Sequence, residues 1–264
     1  MVSPFGGKPT PVFIRGGDAP IETTGTTSLS SSFLFNIALG LVAGYDTEFV
    51  IGLNRDVGAN LEDVWGAGAD IVFPTAGEQW EIVSDNANDT IAGTGAQLLV
   101  LVYLDTNYDV QSEVIAMNGL GAVSTVATDI FRPRALLTIR SGSTGSNEGA
   151  IISRVAGGGA TRNYIHPNFG FSFDGHFTVQ AGATALMTFC QVNAGRTDGV
   201  EFRLRASIGP VPENMAVIQY NNVFENVANT PLPVPLALGE KTDLVMGALN
   251  SGGGADADCF AVCQ

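Results

Sequence analysis

The chain has 264 residues, 45% of them hydrophobic and 14% charged, and its 12 Lys and Arg against 26 Asp and Glu give a net charge of -14. An apolar fraction this high excludes a disordered chain, while 33 glycines and 12 prolines do not suit a helical bundle. The acidic balance argues against binding to nucleic acid or to an anionic membrane, because both attract clustered Lys and Arg. We therefore expect neither of them as a partner.

The first 30 residues differ in composition from the rest of the chain. They are rich in Gly, Pro, Thr and Ser, and their one apolar island covers residues 12–14. Because no period of 2 or 3.6 is sustained, we predict an extended N-terminal arm over 1–30 that becomes ordered only on a partner surface. A frayed terminus is the alternative interpretation. Residues 31–264 are predicted to form a jelly-roll-like β-sandwich.

From residue 31 onward, short apolar stretches recur with turn residues between them, which is typical of an all-β sandwich or jelly roll. The segments "EFRLRAS" (201–207) and "FGFSFDGHFTV" (169–179) alternate in polarity and predict half-buried strands. The earlier run "FLFNIALGLVAG" (33–44) is too short to span a bilayer. It predicts a buried strand with its flanks.

Three further segments carry specific predictions. The unbroken apolar run within 97–104 predicts a central strand that is buried on both faces. Asn118-Gly119 lies between two apolar runs and predicts a hairpin, since both residues accept positive φ. The Pro-rich segment 229–243 predicts a surface crossing or an edge strand, because proline cannot donate to a central ladder. The residues after it, ending in "DCFAVCQ" (258–264), predict a closing hairpin.

Two loops could be mistaken for ligand sites. Gly93 and Gly95 precede an apolar strand, and this loop has neither the Lys nor the following helix that a phosphate site requires, so it predicts a turn. Asp105, Asn107 and Asp109 alternate as in a calcium loop. An EF-hand would next need Gly and Glu, where this chain has Val and Ala. A solvated turn is favoured, with an irregular calcium site as the alternative.

The histidines and tryptophans form no recognisable catalytic or metal-binding pattern. His166 and His176, with Asp174 beside the latter, match no zinc spacing, and no G-x-S-x-G elbow is present. Trp65 and Trp80 could stack on sugars, but core anchors are the favoured interpretation. A pair of carboxylates could hydrolyse a glycoside, but the sequence locates no such pair. We expect no enzyme, no catalytic or metal-binding residue and no cofactor.

Cys190, Cys259 and Cys263 are odd in number and do not predict a disulfide framework. Cys259 and Cys263 could pair or bind a metal, but four residues apart on a strand they share one face, and we expect small buried apolar residues. This cysteine usage, with no convincing secretory signal, predicts synthesis in a reducing cytoplasm.

One stretch, residues 79–126, resembles a pattern found in virion structural proteins of tailed phages, especially aquatic ones. In that pattern a Ser, a spaced Asp and a Gly-Thr-Gly turn precede an apolar strand ending in Leu-Asp, followed by a strand containing Glu and an Asn-Gly turn. The matching residues are Ser84, Asp89, Gly93, Gly95, Leu104, Asp105, Glu113, Asn118 and Gly119. "EKTDLVMGA" (240–248), followed by "ADCFAVC", is similar to the last hairpin of the same group.

The resemblance implies a capsid decoration or cement protein with a jelly-roll-like fold, made in the host cytoplasm. It implies a homotrimer that clamps adjacent major capsid subunits on the capsid exterior and stabilises the head. A receptor- or glycan-binding module of a tail or fibre is the alternative, using Trp65, Trp80 or the segment 169–177 as a groove. A carbohydrate-active enzyme ranks third.

Overall fold

The structure is a computed structural model that describes residues 36–37, 39, 41–68, 70–195, 199–207, 215–223, 227–251 and 257–264. The chain divides into two compact units, Met1–Glu48 and Phe49–Gln264. The predicted arm at 1–30 lies outside the described residues. The strand predicted within 33–44 is wrong for the residues described there. Asn36 and Ile37 lie in a helical turn, and Gly44 ends the run in a turn at a φ of 79°.

The second unit is built from strands, as the recurring short apolar stretches predicted, but of the predicted strand segment 169–179 only His176–Thr178 forms a strand. Its described strands are β1 Val50–Val57, β2 Glu62–Asp63, β3 Trp80–Ser84, β4 Ala96–Asp105, β5 Val110–Ala116, β6 Val123–Ser124, β7 Ile130–Ser141, β8 Ile151–Val155, β9 Thr161–Ile165, β10 His176–Thr178, β11 Ala185–Ala194, β12 Val200–Ser207, β13 Met215–Val223, β14 Val227–Leu238, β15 Asp243–Asn250 and β16 Ala257–Cys263. The all-β prediction is confirmed, and a jelly-roll strand order stays a prediction. Across the described ranges, no helix has the length and apolar character needed to cross a membrane.

Two antiparallel sheets form what we call the base sandwich. One has the strand order β1-β16-β11-β14, and the other has β10-β15-β12-β13 with β2 paired to β15. Alternate side chains of both sheets meet in one apolar core that includes Val192, Cys259, Phe202 and Met246. β12 alternates strictly between buried and half-buried positions, as "EFRLRAS" predicted. β14 is the end strand of its sheet, next to β11, so the Pro-rich segment is confirmed as an edge strand.

Strands β3 to β9 form a second, inserted sandwich. The chain leaves the base sandwich after β2 and returns to it at β10, and all the intervening strands belong to two other sheets, β6-β3-β8-β9 and β5-β4-β7. These sheets enclose a separate core that includes Trp80, Ile82, Leu99, Leu101 and Leu136. The described residues of the second unit therefore form two apolar cores. The core of the inserted sandwich comes from one continuous segment of the chain, which interrupts the base sandwich between β2 and β10.

A buried ion pair joins the two sandwiches. Arg132 of β7 donates from Nε and Nη2 to the two carboxylate oxygens of Asp243 at the start of β15, at 2.9 and 3.2 Å. Thr178 of β10 donates a third hydrogen bond to Asp243 at 2.6 Å. The Arg132 Nη1 donates to two backbone carbonyls, and its guanidinium carbon lies 4.1–5.6 Å from the ring centroids of Phe131, Phe73 and Tyr108. Both charges are thus desolvated but fully bonded, which a buried pair requires.

A second set of buried polar contacts lies along the same junction. The Asp174 carboxylate accepts hydrogen bonds from Asn163 Nδ2 at 2.7 Å and from the Tyr164 backbone at 2.8 Å, both from β9 of the inserted sandwich. Burial raises the pKa of Asp174. The chain next to Asp174 lies against β1, where the Gly175 amide donates to Ile51 of the base sandwich. The segment that carries the Asp174 carboxylate therefore provides a second link between the base sandwich and the inserted sandwich.

Three sequence predictions need correction. β4 is the centre of its sheet, but only one of its faces is buried, because Leu98, Val100 and Val102 lie half-exposed on the other side. Gly119 takes the positive φ of a turn, 59°, yet no hairpin forms there, because β5 and β6 belong to different sheets. The closing hairpin is also wrong, since β15 and β16 lie in the two opposite sheets of the base sandwich.

The loop before β4 is organised by one buried carboxylate. Asp89 accepts hydrogen bonds from Ser84 Oγ at 2.6 Å, the Ala96 amide at 2.7 Å, and the Glu148 and Gly149 amides at 2.9 Å each. A Cβ atom added at Gly95 would collide with this carboxylate, so the close approach requires glycine. The residues that carry the phage resemblance in this region therefore build a loop and its strand.

We predict that Asp89→Asn lowers the free energy of unfolding by about 2–3 kcal/mol, because the amide NH₂ would face an N–H or O–H donor that loses its acceptor in a buried site. Denaturant unfolding measures the loss. The matched control is Asp85→Asn, whose exposed carboxylate accepts a bond from the Ala150 amide, and we expect a loss below about 1 kcal/mol there. Equal losses for the two variants would contradict the role of Asp89.

Candidate interaction surface

The glycine loop is a turn, as predicted. Gly95 donates its amide to the Asn88 carbonyl at 3.1 Å, and Gly93 donates to the Thr90 carbonyl at 2.8 Å. The Gln97 side chain closes the loop by donating to the Gly93 carbonyl at 2.9 Å. The amides of both glycines are therefore used within the loop, which leads directly into β4.

Asp105 caps the turn that follows β4. Its carboxylate accepts hydrogen bonds from the Asn107 and Asp109 amides at 2.8 and 3.1 Å and from Gln111 Nε2 at 3.1 Å. Burial would raise the pKa of this carboxyl, but the three hydrogen bonds outweigh it and lower the pKa. Within the described residues, no group of three or more His, Cys, Asp or Glu side chains is placed to hold a metal ion. The turn interpretation is the one that the contacts favour.

The structure keeps the two histidines in separate structural roles. The ring nitrogens of His176 face the backbone carbonyls of Asp174 and Pro133 at 3.1 and 3.2 Å, so its hydrogen bonds go to the backbone and not to the Asp174 carboxylate. His166 is enclosed by the rings of Tyr164 and Phe169, with centroids 4.8 and 5.5 Å away. Burial, followed by the charge of Arg55, lowers the pKa of His166.

Both tryptophans are buried, as the favoured interpretation predicted, so neither lines an exposed groove. Trp80 lies in the core of the inserted sandwich and donates its indole N–H to Glu78 at 3.1 Å. Of the groove residues considered from the sequence, the segment around Phe171 is the one that reaches the surface.

The cysteine prediction is wrong in one respect. Cys190 of β11 lies directly opposite Cys263 of β16, and the two are joined in a disulfide across 73 residues of sequence. Sequence spacing could not show this pairing, because it depends on the register of two strands that are distant in the chain. Cys259 is a buried free thiol, as expected for a small apolar residue, and burial raises its pKa to about 12.

The exposed feature that these local contacts leave unexplained is an apolar row across the three-stranded sheet. Val114 of β5 lies opposite Val100 of β4, which lies opposite Leu137 of β7. Leu137 in turn forms an isolated antiparallel β-bridge with Phe171. Directly opposite residues of antiparallel strands point to the same face. These four side chains therefore form one row on the outer side of the sheet.

Aromatic contacts extend the row onto the base sandwich. The ring of Phe171 lies 4.3 Å from that of Phe173, which lies 6.3 Å from the ring of Phe260 on β16. Phe173 is itself attached to the base sandwich, since its carbonyl accepts the Leu53 amide of β1 at 3.3 Å. The row thus crosses both sandwiches. We call it, with its neighbours Val110 and Ile139, the apolar face.

The apolar face is accessible to solvent and carries few charges. Val114 is 61% exposed, Ile139 53%, Phe171 38% and Phe260 36%. The outward positions of β4 are Leu98, Val100 and Val102, and those of β5 are Val, Ser, Val and Ala at 110, 112, 114 and 116. Arg140, opposite Leu98, and Arg55, 5.1 Å from the Phe169 ring, lie at its margin.

The extent of the apolar face follows from strand geometry. The seven residues of β5 span about 23 Å, and four neighbouring chain segments about 15 Å, which gives roughly 350 Å² before Phe260 is added. The largest apolar patch on a typical monomeric protein is of about this size and is often functional. The sequence did not reveal this face, because the continuous apolar run in β4 suggested burial on both sides.

The sequence matches no protein-family model and no curated protein. Among solved structures, an infectious bursal disease virus Gx strain structure aligns with 83% of this chain and 68% of its own, at 11% identity and a TM-score of 0.17. A VP2 subviral particle of infectious bursal disease virus aligns with 82% of this chain and 71% of its own, at 12% identity and a TM-score of 0.14. The similarity to these virus structures is weak, and TM-scores this far below 0.5 establish no common fold.

We predict that calcium leaves the melting temperature unchanged, because the Asp105 oxygens already accept hydrogen bonds from their own turn. Thermal unfolding in millimolar calcium and in EDTA checks this. A calcium-dependent rise in the melting temperature that disappears in Asp109→Asn would show that the turn binds the ion after all.

Proposed function

We propose that this chain is a non-enzymatic virion structural protein of the capsid decoration or cement type. It binds the outer surface of the major capsid lattice as a homotrimer and stabilises the head. The observation that carries the proposal is the apolar face, whose exposed and uncharged side chains suit the contact between copies that a homotrimer requires. Such a face suits contact with another folded protein, since burying it removes apolar area from water without desolvating charges.

The charge of the chain supports an outward position on a particle. A net charge of -14 repels packaged nucleic acid, which favours the exterior over the interior of a capsid. The same charge keeps the remaining surface soluble at the high local concentration of a repeating lattice. The resemblance of residues 79–126 to virion proteins of tailed phages points to the same role.

The division of the chain into two units supports separate roles for its N-terminal segment and its folded body. The second unit, Phe49–Gln264, is a folded body with two cores, and its apolar face is held by strands. The 1–30 segment supplies reach, because an extended arm spreads contacts over neighbouring subunits, and the repeated lattice adds avidity to weak single contacts. In this proposal the arm attaches the protein to the capsid.

A receptor- or glycan-binding module of a tail or fibre is the second candidate. The observation that favours it is the exposure of the Phe171 ring beside Phe173 and Phe260, because flat apolar rings stack on sugar faces. The buried tryptophans remove two of the residues that this function would have used. Such a module would bind host cells when purified, which a capsid decoration protein would not do.

We predict that the purified chain sediments with heads that lack it and raises the temperature at which they release DNA. Deleting residues 1–30 should sharply reduce occupancy on heads while leaving the melting temperature of the protein nearly unchanged, because a segment with so few apolar residues adds little to a core. Quantitative gel analysis of sedimented heads gives the occupancy, and thermal unfolding provides the folding control.

Three outcomes would contradict the proposal or part of it. Binding to tails or host cells without binding to heads would favour the receptor-binding alternative. Normal occupancy after the deletion would show that 1–30 is only a frayed terminus. Failure of the truncated chain to fold would show that these residues belong to the core.

A further inference from the structure

We infer that the apolar face is covered by a second copy of this chain. The inference rests on the proposed function, in which copies of the chain associate, and it assigns that association to a defined surface. The face consists of the row Val114, Val100, Leu137 and Phe171, with Phe173, Phe260, Val110 and Ile139 beside it.

The inner side of the same sheet shows how such a face becomes covered. Strands β5, β4 and β7 pack Ile115, Leu99 and Leu136 against a second sheet in the core of the inserted sandwich. Their outer side also presents Leu, Val and Ile, and from Leu98 to Val102 and around Val114 and Ile139 these side chains are exposed or half-exposed. Antiparallel sheets of this composition pack face to face about 10 Å apart. A second copy of the chain brings a sheet with a suitable surface.

Charge favours a second copy over a basic partner. The chain carries 26 acidic residues, yet the outward positions of β4 and β5, from Leu98 to Val102 and from Val110 to Ala116, include none of them. A surface selected for a basic partner would carry acids. Two copies of a chain with a net charge of -14 repel one another unless the surfaces in contact lack acidic groups, and this face meets that condition.

The area of the face is of the right order for association between copies. The part on the three-stranded sheet is roughly 350 Å², and its extension to Phe260 brings it to roughly 500 Å². A standard interface buries about 800 Å² of accessible surface on each partner, with an apolar centre and a polar rim. The apolar face supplies the centre of such an interface, and the positions around it supply the rim.

The test is the oligomeric state of the full-length protein without particles, measured by sedimentation velocity over a range of concentrations. Val114→Glu places a carboxylate in the centre of the row, and we expect it to weaken association about 100-fold or more. The matched control is Val72→Glu, because Val72 is also 61% exposed. Val72 lies beside the other sheet of the inserted sandwich, where its carbonyl accepts a hydrogen bond from Arg162 of β9. This control should associate as the wild type does.

Val114→Thr keeps the strand propensity and the shape of valine, so it provides a milder test in which folding is not at risk. We expect a weakening of several-fold, with an unchanged melting temperature. A wild-type chain that stays monomeric at high concentration would overturn the inference and leave the face to a different protein. Association that persists in both Val114 variants would overturn it as well. Because no capsid is present, these outcomes are independent of whether the chain decorates heads.

Discussion

The ion pair between Arg132 and Asp243 is the interaction on which the arrangement of the second unit depends. It joins the third strand of one sheet in the inserted sandwich to the start of a central strand in the base sandwich, and both side chains are almost fully buried. Each charge would be strongly unfavourable there alone, and the pair is tolerated because Thr178, two carbonyls and three aromatic rings complete its surroundings. An apolar junction could slide, whereas this one fixes a single geometry.

The continuity of the apolar face depends on that junction. Val114, Val100 and Leu137 belong to the inserted sandwich, whereas Phe260 belongs to β16 of the base sandwich. The chain segment from Phe171 to Phe173 connects the two parts, pairing with β7 at one end and with β1 at the other. If the sandwiches rotated relative to each other, the row would break at this point. A rigid junction is therefore a condition for one continuous contact surface.

The sequence was informative wherever a structure depends on local pattern. The alternation in β12, the run in β4, the edge position of the prolines in β14 and the glycine turn before β4 follow from periodicity and backbone chemistry alone. Most of the failures concern which strands pair and which sheet each strand joins. The partner of Cys263 is Cys190, and β15 and β16 separate into opposite sheets, because strand register and sheet membership are decided by contacts over many tens of residues. The apolar face was missed for a related reason. A strand that packs one face in the core and exposes an apolar face for contact with a partner has the same continuous apolar sequence as a strand buried on both faces.

The contribution of the Arg132–Asp243 pair to holding the two sandwiches together can be measured by a double-mutant cycle on the free energy of unfolding. The variants are Arg132→Met, Asp243→Leu and the two combined, followed by denaturant unfolding. We expect each single change to lower the free energy of unfolding by about 3–5 kcal/mol, because it leaves the opposite charge unpaired in a buried site, and we expect the double variant to recover most of the loss. Losses that simply add in the double variant, or single losses below about 1 kcal/mol, would contradict this expectation.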